Sequence, residues 1–227
     1  MIVLIGGEKG GTGKSTLAVN LSTLHTYKKK DVLLVDSDKQ ASATRWTQER
    51  DEITDGKIVR VNSVQKQGKG LAGEIKHLAT KYQDILIDTG GRDSVELRAA
   101  MVVADIAIFP FQPSQFDMWS AETISEIITM AKELNPTLRV VACLTKASPN
   151  PVVKEYVDAQ EFLAEFSNLP MTETVIRDRI VWRRSISEGR AIFEMKDRDE
   201  KAEAELLQLY RTIFEFPPSG KMTEETI

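Results

Sequence analysis

Two lysines, a cluster of glycines and three hydroxyls stand together in Gly6-Gly7-Glu8-Lys9-Gly10-Gly11-Thr12-Gly13-Lys14-Ser15-Thr16. Glycines let successive backbone N–H groups turn toward one centre, and a helix beginning near Lys14 adds its unpaired N–H groups and its dipole. The product is a cradle for a polyanionic phosphate, walled by Lys9, Gly10, Gly11, Thr12, Gly13, Lys14, Ser15 and Thr16. Lys14 is placed to reach β- and γ-phosphates as a point charge, Ser15 to give its hydroxyl to Mg²⁺, and Thr16 to bond the α-phosphate. The ordinary P-loop pattern asks for glycine where this chain has Glu8. A flexible turn with two solvated lysines is the alternative, and the position of Gly-Lys-Ser between strand and helix weighs against it.

Carboxylates follow apolar strands in two places. Asp88 ends Ile85-Leu86-Ile87, at the carboxyl edge where open α/β sheets bind ligands, and is the expected second metal-side residue with Ser15. A helix cap or loop carboxylate is its bland reading. Asp36 ends Val32–Val35, with Asp38 two residues on. Asp36, nearer the strand end, is assigned to polarising the attacking water or holding a metal-bound water; Asp38 fits a turn or cap equally well.

The elements that must position these groups read as short apolar strands alternating with helical stretches. Strands are expected at Ile2–Ile5, Val32–Val35, Ile58–Val61, Ile85–Ile87, Ile106–Phe109 and Leu138–Leu144, several apolar throughout, as in a parallel sheet covered on both faces. Helices are expected over Lys14–Tyr27, through Leu71, Ile75 and Leu78, through Trp119, Thr123, Ile127, Met130 and Leu134, from near Val152, and from Arg198 to Phe214. The charged stretch Thr47–Lys57 reads as a surface excursion. This is an α/β pattern: a three-layer P-loop fold, mostly parallel, as one domain over 1–216 with a loose tail at 217–227.

Composition agrees with that class. The chain has 227 residues, 41% hydrophobic and 28% charged, the balance of an ordinary globule. Its one cysteine, Cys143, lies in an apolar run and cannot pair within the chain, which fits a reducing, cytoplasmic setting. No apolar run approaches the roughly twenty residues that span a bilayer. A formal charge of −4 repels nucleic acid in bulk, so any such contact needs a local basic patch. The patch on offer is Ile176 to Arg190, where Arg177, Arg179, Arg183, Arg184 and Arg190 face only Asp178 and Glu188. Arg183 and Arg184 are the DNA candidates, with Lys146 and Lys154 behind them, against the alternative of a solvated or internally paired face.

Taken in order, these segments resemble a family. Lys9-Gly10-Gly11-Thr12-Gly13-Lys14-Ser15-Thr16 is similar to the deviant Walker A signature of the ParA/MinD ATPases, Asp36-Ser37-Asp38-Lys39-Gln40-Ala41-Ser42 to the Asp-x-Asp-x-Gln-x-Ser segment of the ParA branch, and Asp84–Gly91 to its Walker B and switch segment. The resemblance implies ATP and Mg²⁺ as ligands and slow hydrolysis. Lys9 would be the signature lysine that reaches the partner subunit's nucleotide across a sandwich dimer. It further implies switch I at Asp36–Ser42, switch II at Asp88–Gly91, and a purine gripped near Thr145-Lys146 and Pro170–Thr174. The first strand begins at residue 2, and the resemblance is therefore to small plasmid-type partition ATPases without an amino-terminal helix-turn-helix. Such an ATPase would bind nonspecific DNA on the nucleoid and answer to a ParB-like or ParG-like centromere-binding partner. The tail carries too little basic apolar face for the membrane attachment of the MinD branch. A nucleotide-dependent scaffold with little catalysis is the second class. A small-molecule kinase or metallocofactor-delivery ATPase is the third, and the lone Cys143 counts against the latter.

Overall fold

The computed structural model describes residues 1–55, 58–150, 152–153 and 155–215. Lys154, residues 217–227 and the side chain of Trp119, each part of an expectation above, lie outside what is described.

Seven strands form one sheet: β1 (Ile2–Ile5), β2 (Val32–Asp36), β3 (Asn62–Gln65), β4 (Asp84–Asp88), β5 (Ile106–Phe111), β6 (Arg139–Ala147) and β7 (Met171–Arg177). Their order is β3-β2-β4-β1-β5-β6-β7, and every pairing is parallel. Parallel neighbours need crossovers, supplied by helices α1 (Lys14–Tyr27), α2 (Ser42–Asp51), α3 (Leu71–Leu78), α4 (Val95–Val103), α5 (Gln115–Leu134) and α6 (Glu155–Leu163), and two more helices, α7 (Ile180–Ser187) and α8 (Glu200–Phe214), follow the last strand.

The period-two pleat of the inner strands divides their apolar residues between two cores. Leu4, Leu33, Val35, Ile85, Ile87, Ala107 and Phe109 pack under α3, α4, α5 and α6. Val3, Ile5, Val32, Leu34, Leu86, Ile106 and Ile108 pack under α1, α2, α7 and α8. Both faces are thus covered, which is why these strands carry almost no polar side chain until their final residue. The stripe Ala202, Leu206, Leu209, Tyr210, Ile213 on α8 is buried as its spacing requires, and Asp199 caps that helix by accepting from the Lys201 and Ala202 amides.

Three expectations are corrected. The third strand lies at Asn62–Gln65 rather than Ile58–Val61: Val61 is buried in the core beside α2, Val59 gives its carbonyl to Arg50, and the polar residues after them pair with β2 as an exposed edge. Thr47–Lys57 is not wholly a surface excursion, because α2 runs to Asp51 and buries Trp46, Thr47 and Arg50. β7 had no counterpart in the sequence reading. It alternates buried and exposed positions at the opposite sheet edge, where one free side leaves a weaker apolar signal than the inner strands give.

Candidate nucleotide site

β1 occupies the middle of the sheet, where the strand order turns from β4 on one side to β5 on the other, and its carboxyl end opens into the glycine loop. The loop is braced from behind. Gly6 N donates to Ile108 O at 3.0 Å, Gln112 Nε2 to Gly11 O at 2.8 Å, and Thr145 Oγ1 to Thr12 O at 2.7 Å. Gly11 and Gly13 take φ of 83° and 92°, left-handed values that a side chain resists, and Gly13 is the residue from which α1 starts. Lys14 is buried, and its ammonium donates to Lys9 O at 2.6 Å, across the loop it would share with a phosphate.

This loop floors an open cavity of about 700 Å³. Lys9, Gly10, Gly11, Gly13, Lys14, Ser15, Thr16, Gly91 and Thr145 line it, as the sequence reading expected, and Thr12 is buried immediately beneath. Thr145 is itself 2% exposed, with its hydroxyl spent on Thr12 and Phe111.

Asp88 is the register partner of Ile5 on one side and of Asp36 on the other, so both carboxylates emerge beside the loop. Asp88 is fully buried, and among the described residues neither carboxylate oxygen is met by a donor at full hydrogen-bond geometry, the Ser15 hydroxyl being the nearest to it in effect. Burial pushes its pKa up to about 8; the Ser15 hydroxyl and Lys14 oppose that shift, while the charges of Asp36 and Asp38 reinforce it. An orphaned, buried carboxyl beside a serine hydroxyl is a donor set that fits a hard divalent cation.

Asp36 stands differently. It is buried, but Oδ2 accepts from Thr44 N at 2.7 Å and Thr44 Oγ1 at 2.8 Å, and Oδ1 accepts from Asp38 N at 3.1 Å. These bonds tie the end of β2 to the first turn of α2. Asp38 is only half-buried and lines the cavity, with Oδ1 accepting from Gln40 N in an Asx turn.

The far wall contains Lys146, Ile176, Arg177, Asp178, Trp182 and Arg183. Pro170–Thr174, expected to grip a purine, is corrected: it leads into the amino-terminal half of β7, away from the edge where parallel strands release their ligand loops, and the residues of this strand's end that line the cavity are Ile176, Arg177 and Asp178. Of the five late arginines, Arg177 donates to Ser148 O, Arg179 pairs with Glu205 at 2.8 Å and Arg190 pairs with Asp55. Arg183 and Arg184 remain exposed on α7, Arg184 with only an exposed partner, Asp197, at 3.8 Å.

Sequence reasoning also passed over Arg92, in the cavity wall, and over Arg50, whose fork meets Glu194 at 2.7 and 2.8 Å and also donates to Gly189 O and Val59 O. Arg50 joins α2 to the chain beyond α7. Its polar neighbourhood at Thr47–Lys57 gave no sign of burial. Cys143 is buried on β6, and burial, with the Glu205 charge, pushes its thiol up to about 12, so it is structural.

A glycine loop between a central parallel strand and a helix, with a buried lysine and an orphaned aspartate at its rim, defines a P-loop nucleotide-binding protein. The chain belongs to the CobQ/CobB/MinD/ParA nucleotide-binding domain family, which it matches over residues 3–192. It is 31% identical over 216 residues, 94% of this chain and 92% of the relative, to a maintenance of carboxysome distribution protein A from Gloeobacter kilaueensis. Its fold matches apo McdA of Cyanothece with a TM-score of 0.76 at 16% identity, covering 93% of this chain and 98% of that one. It also matches the Pyrococcus horikoshii septum site-determining protein MinD complexed with Mg-ADP, with a TM-score of 0.68 at 20% identity over 94% and 95% of the two chains. Among the described residues no helix is long and apolar enough to cross a membrane.

Proposed function

We propose that the protein is a magnesium-dependent ATPase whose hydrolysis cycle switches it between monomer and DNA-bound dimer, and so partitions or positions a cargo. The observation that carries this reading is the fully buried Asp88 carboxylate, unsatisfied at hydrogen-bond geometry among the described residues, with the Ser15 hydroxyl and the Lys14 charge acting on it. Lys14, the loop N–H groups and the start of α1 hold the triphosphate. Ser15 and Asp88 would hold Mg²⁺, which would supply positive charge against the phosphate oxygens. Water attacks the γ-phosphate in line, and the site's work is to position it and to offset developing charge. Asp36, expected to polarise the attacking water, has both oxygens engaged by Thr44 and the Asp38 amide and so orders switch I, and the water falls instead to Asp38, which faces the cavity. Lys9 reaches the nucleotide of a second copy, which makes ATP the link between subunits and its loss their release.

Arg183 and Arg184 give the DNA surface, with exposed Lys146 at its border. Such contacts fall on phosphates and read no bases. A small ParB-like or ParG-like partner resets the switch. A second reading concerns cargo alone: the 31% identity to a carboxysome distribution protein favours a protein assembly over a plasmid.

The test is size analysis with ATP, ADP and a nonhydrolysable analogue, with and without duplex DNA. The proposal expects a dimer with ATP or the analogue only, DNA binding by that dimer only, and loss of DNA binding in Arg183→Ala/Arg184→Ala with dimerisation intact. A monomer in every nucleotide state would reject the switch; a dimer that never hydrolyses ATP would leave the scaffold reading in its place.

A further inference from the structure

Arg92 takes φ of 128°, the largest positive φ of any non-glycine residue among those described. Such conformations persist only where the surroundings over-determine them, and they cluster at ligand clamps and switches. The constraints here are visible on both sides. Gly91, just before it, lies so close to the glycine loop that a Cβ would meet Gly10 N at 2.5 Å and the Lys9 carbonyl carbon at 2.7 Å. Asp93, just after it, is clamped by Arg98 through two bonds of 2.6 Å, and Ser94 caps α4 by accepting from the Leu97 amide. Arg92 is the span between two fixed points, and its own amide reaches only Gly7 O at 3.5 Å.

Glycine would serve that backbone better. The chain instead has an exposed arginine there, in the cavity wall, and among the described residues its guanidinium makes no hydrogen bond or ion pair. The neighbouring carboxylate, Asp93, is already taken by Arg98. A solvated surface arginine would explain the exposure but not the strained backbone that holds it over the loop. A planar five-donor cation at the rim of a phosphate cradle fits a phosphoryl group bidentately.

Resting on the ATPase reading above, we infer that Arg92 is a further catalytic residue, an in-subunit arginine that closes from switch II onto the γ-phosphate. It stabilises charge on the transferred oxygens and distinguishes triphosphate from diphosphate, because ADP lacks the group it touches. Lys9, reaching from a second copy, then shares the task rather than performing it alone.

The experiment compares Arg92→Gly, Arg92→Ala and Arg92→Lys for nucleotide-free melting, ATP and ADP affinity, and DNA- and partner-stimulated turnover. Arg92→Gly relieves the backbone and is expected to melt no lower than the parent. Both neutral variants should keep parental ADP affinity, lose about tenfold in ATP affinity and fall about a hundredfold in kcat, with Arg92→Lys between. Parental kcat and a parental preference for ATP over ADP in Arg92→Gly and Arg92→Ala would overturn the inference. Lys14→Ala separates the two levels: if that variant alone loses turnover, the arginine assignment fails and the ATPase reading stands. If Lys14→Ala also turns over normally, the reading of the cavity fails with it.

Discussion

Gly91, in the turn after β4, and Gly10 of the glycine loop are packed backbone to backbone, with no room for a methyl group: an added Cβ would lie 2.5 Å from Gly10 N, 2.7 Å from Lys9 C and 2.9 Å from Lys9 O. All three are main-chain atoms, which cannot swing aside as a side chain can. The glycine loop and the turn after β4 therefore cannot shift independently at this point of contact.

Gly91→Ala should displace one of the two. A misplacement of about 1 Å at a reacting centre can cost on the order of a hundredfold, so turnover should fall by at least about tenfold with little change in melting temperature. Gly73, on the exposed face of α3 with open space around it, is the control. Gly73→Ala should leave turnover alone and stabilise slightly, by about 0.5–1 kcal/mol. Steady-state kinetics and thermal melts of the two variants check the pair.

Arg50 ties α2 to the segment beyond α7 by a buried fork on Glu194. Removing one member of such a pair leaves a buried charge without its partner and typically costs about 3–5 kcal/mol. Arg50→Met should therefore lower denaturant stability by that order, while Arg50→Met/Glu194→Met should recover part of the loss. Arg50→Lys should recover little, because a point charge cannot reproduce the bonds to Glu194, Gly189 and Val59 together. Equilibrium urea unfolding reads all three.

Asp88 sets a pH dependence with a definite sign. Its folded pKa is raised from 3.8 to about 8, mainly by burial. Between those values the folded protein keeps a proton that the unfolded chain has lost. Its stabilising contribution is whole below 3.8 and is lost as pH rises toward about 8. In chelator and without nucleotide, the protein should melt lower at pH 8.5 than at pH 6, and Asp88→Asn should flatten that slope. Each 1 kcal/mol corresponds to about 2–4 °C for a chain of this size. Mg²⁺ must displace the same proton, so its uptake below pH 8 should release acid, measurable with an indicator dye.

Much of this was legible in the residues because the inner strands and the phosphate loop obey strong local rules. Lys14–Tyr27 was read to its ends, since Gly13 and the apolar spacing mark it. Asp88 and Asp36 were read as edge carboxylates because an apolar strand that ends in aspartate leaves its charge where parallel strands open. What escaped depends on contacts distant in sequence. β7 is an edge strand with one paired side, and α2 is polar along most of its length, burying Arg50 only because Glu194, 144 residues away, meets it. Arg92 carries its signal in a backbone angle, which no composition records. The late arginines read as one basic patch, whereas Arg177, Arg179 and Arg190 are spent within the fold.

A triphosphate seated over the start of α1, held by Lys14 beside Ser15 and Asp88, makes Lys14→Ala the decisive variant. Its phosphate release from ATP, measured beside the parent with Mg²⁺ and duplex DNA, is expected to fall at least about a hundredfold with the fold intact by melting. Parental turnover in Lys14→Ala would show that the triphosphate is not held there.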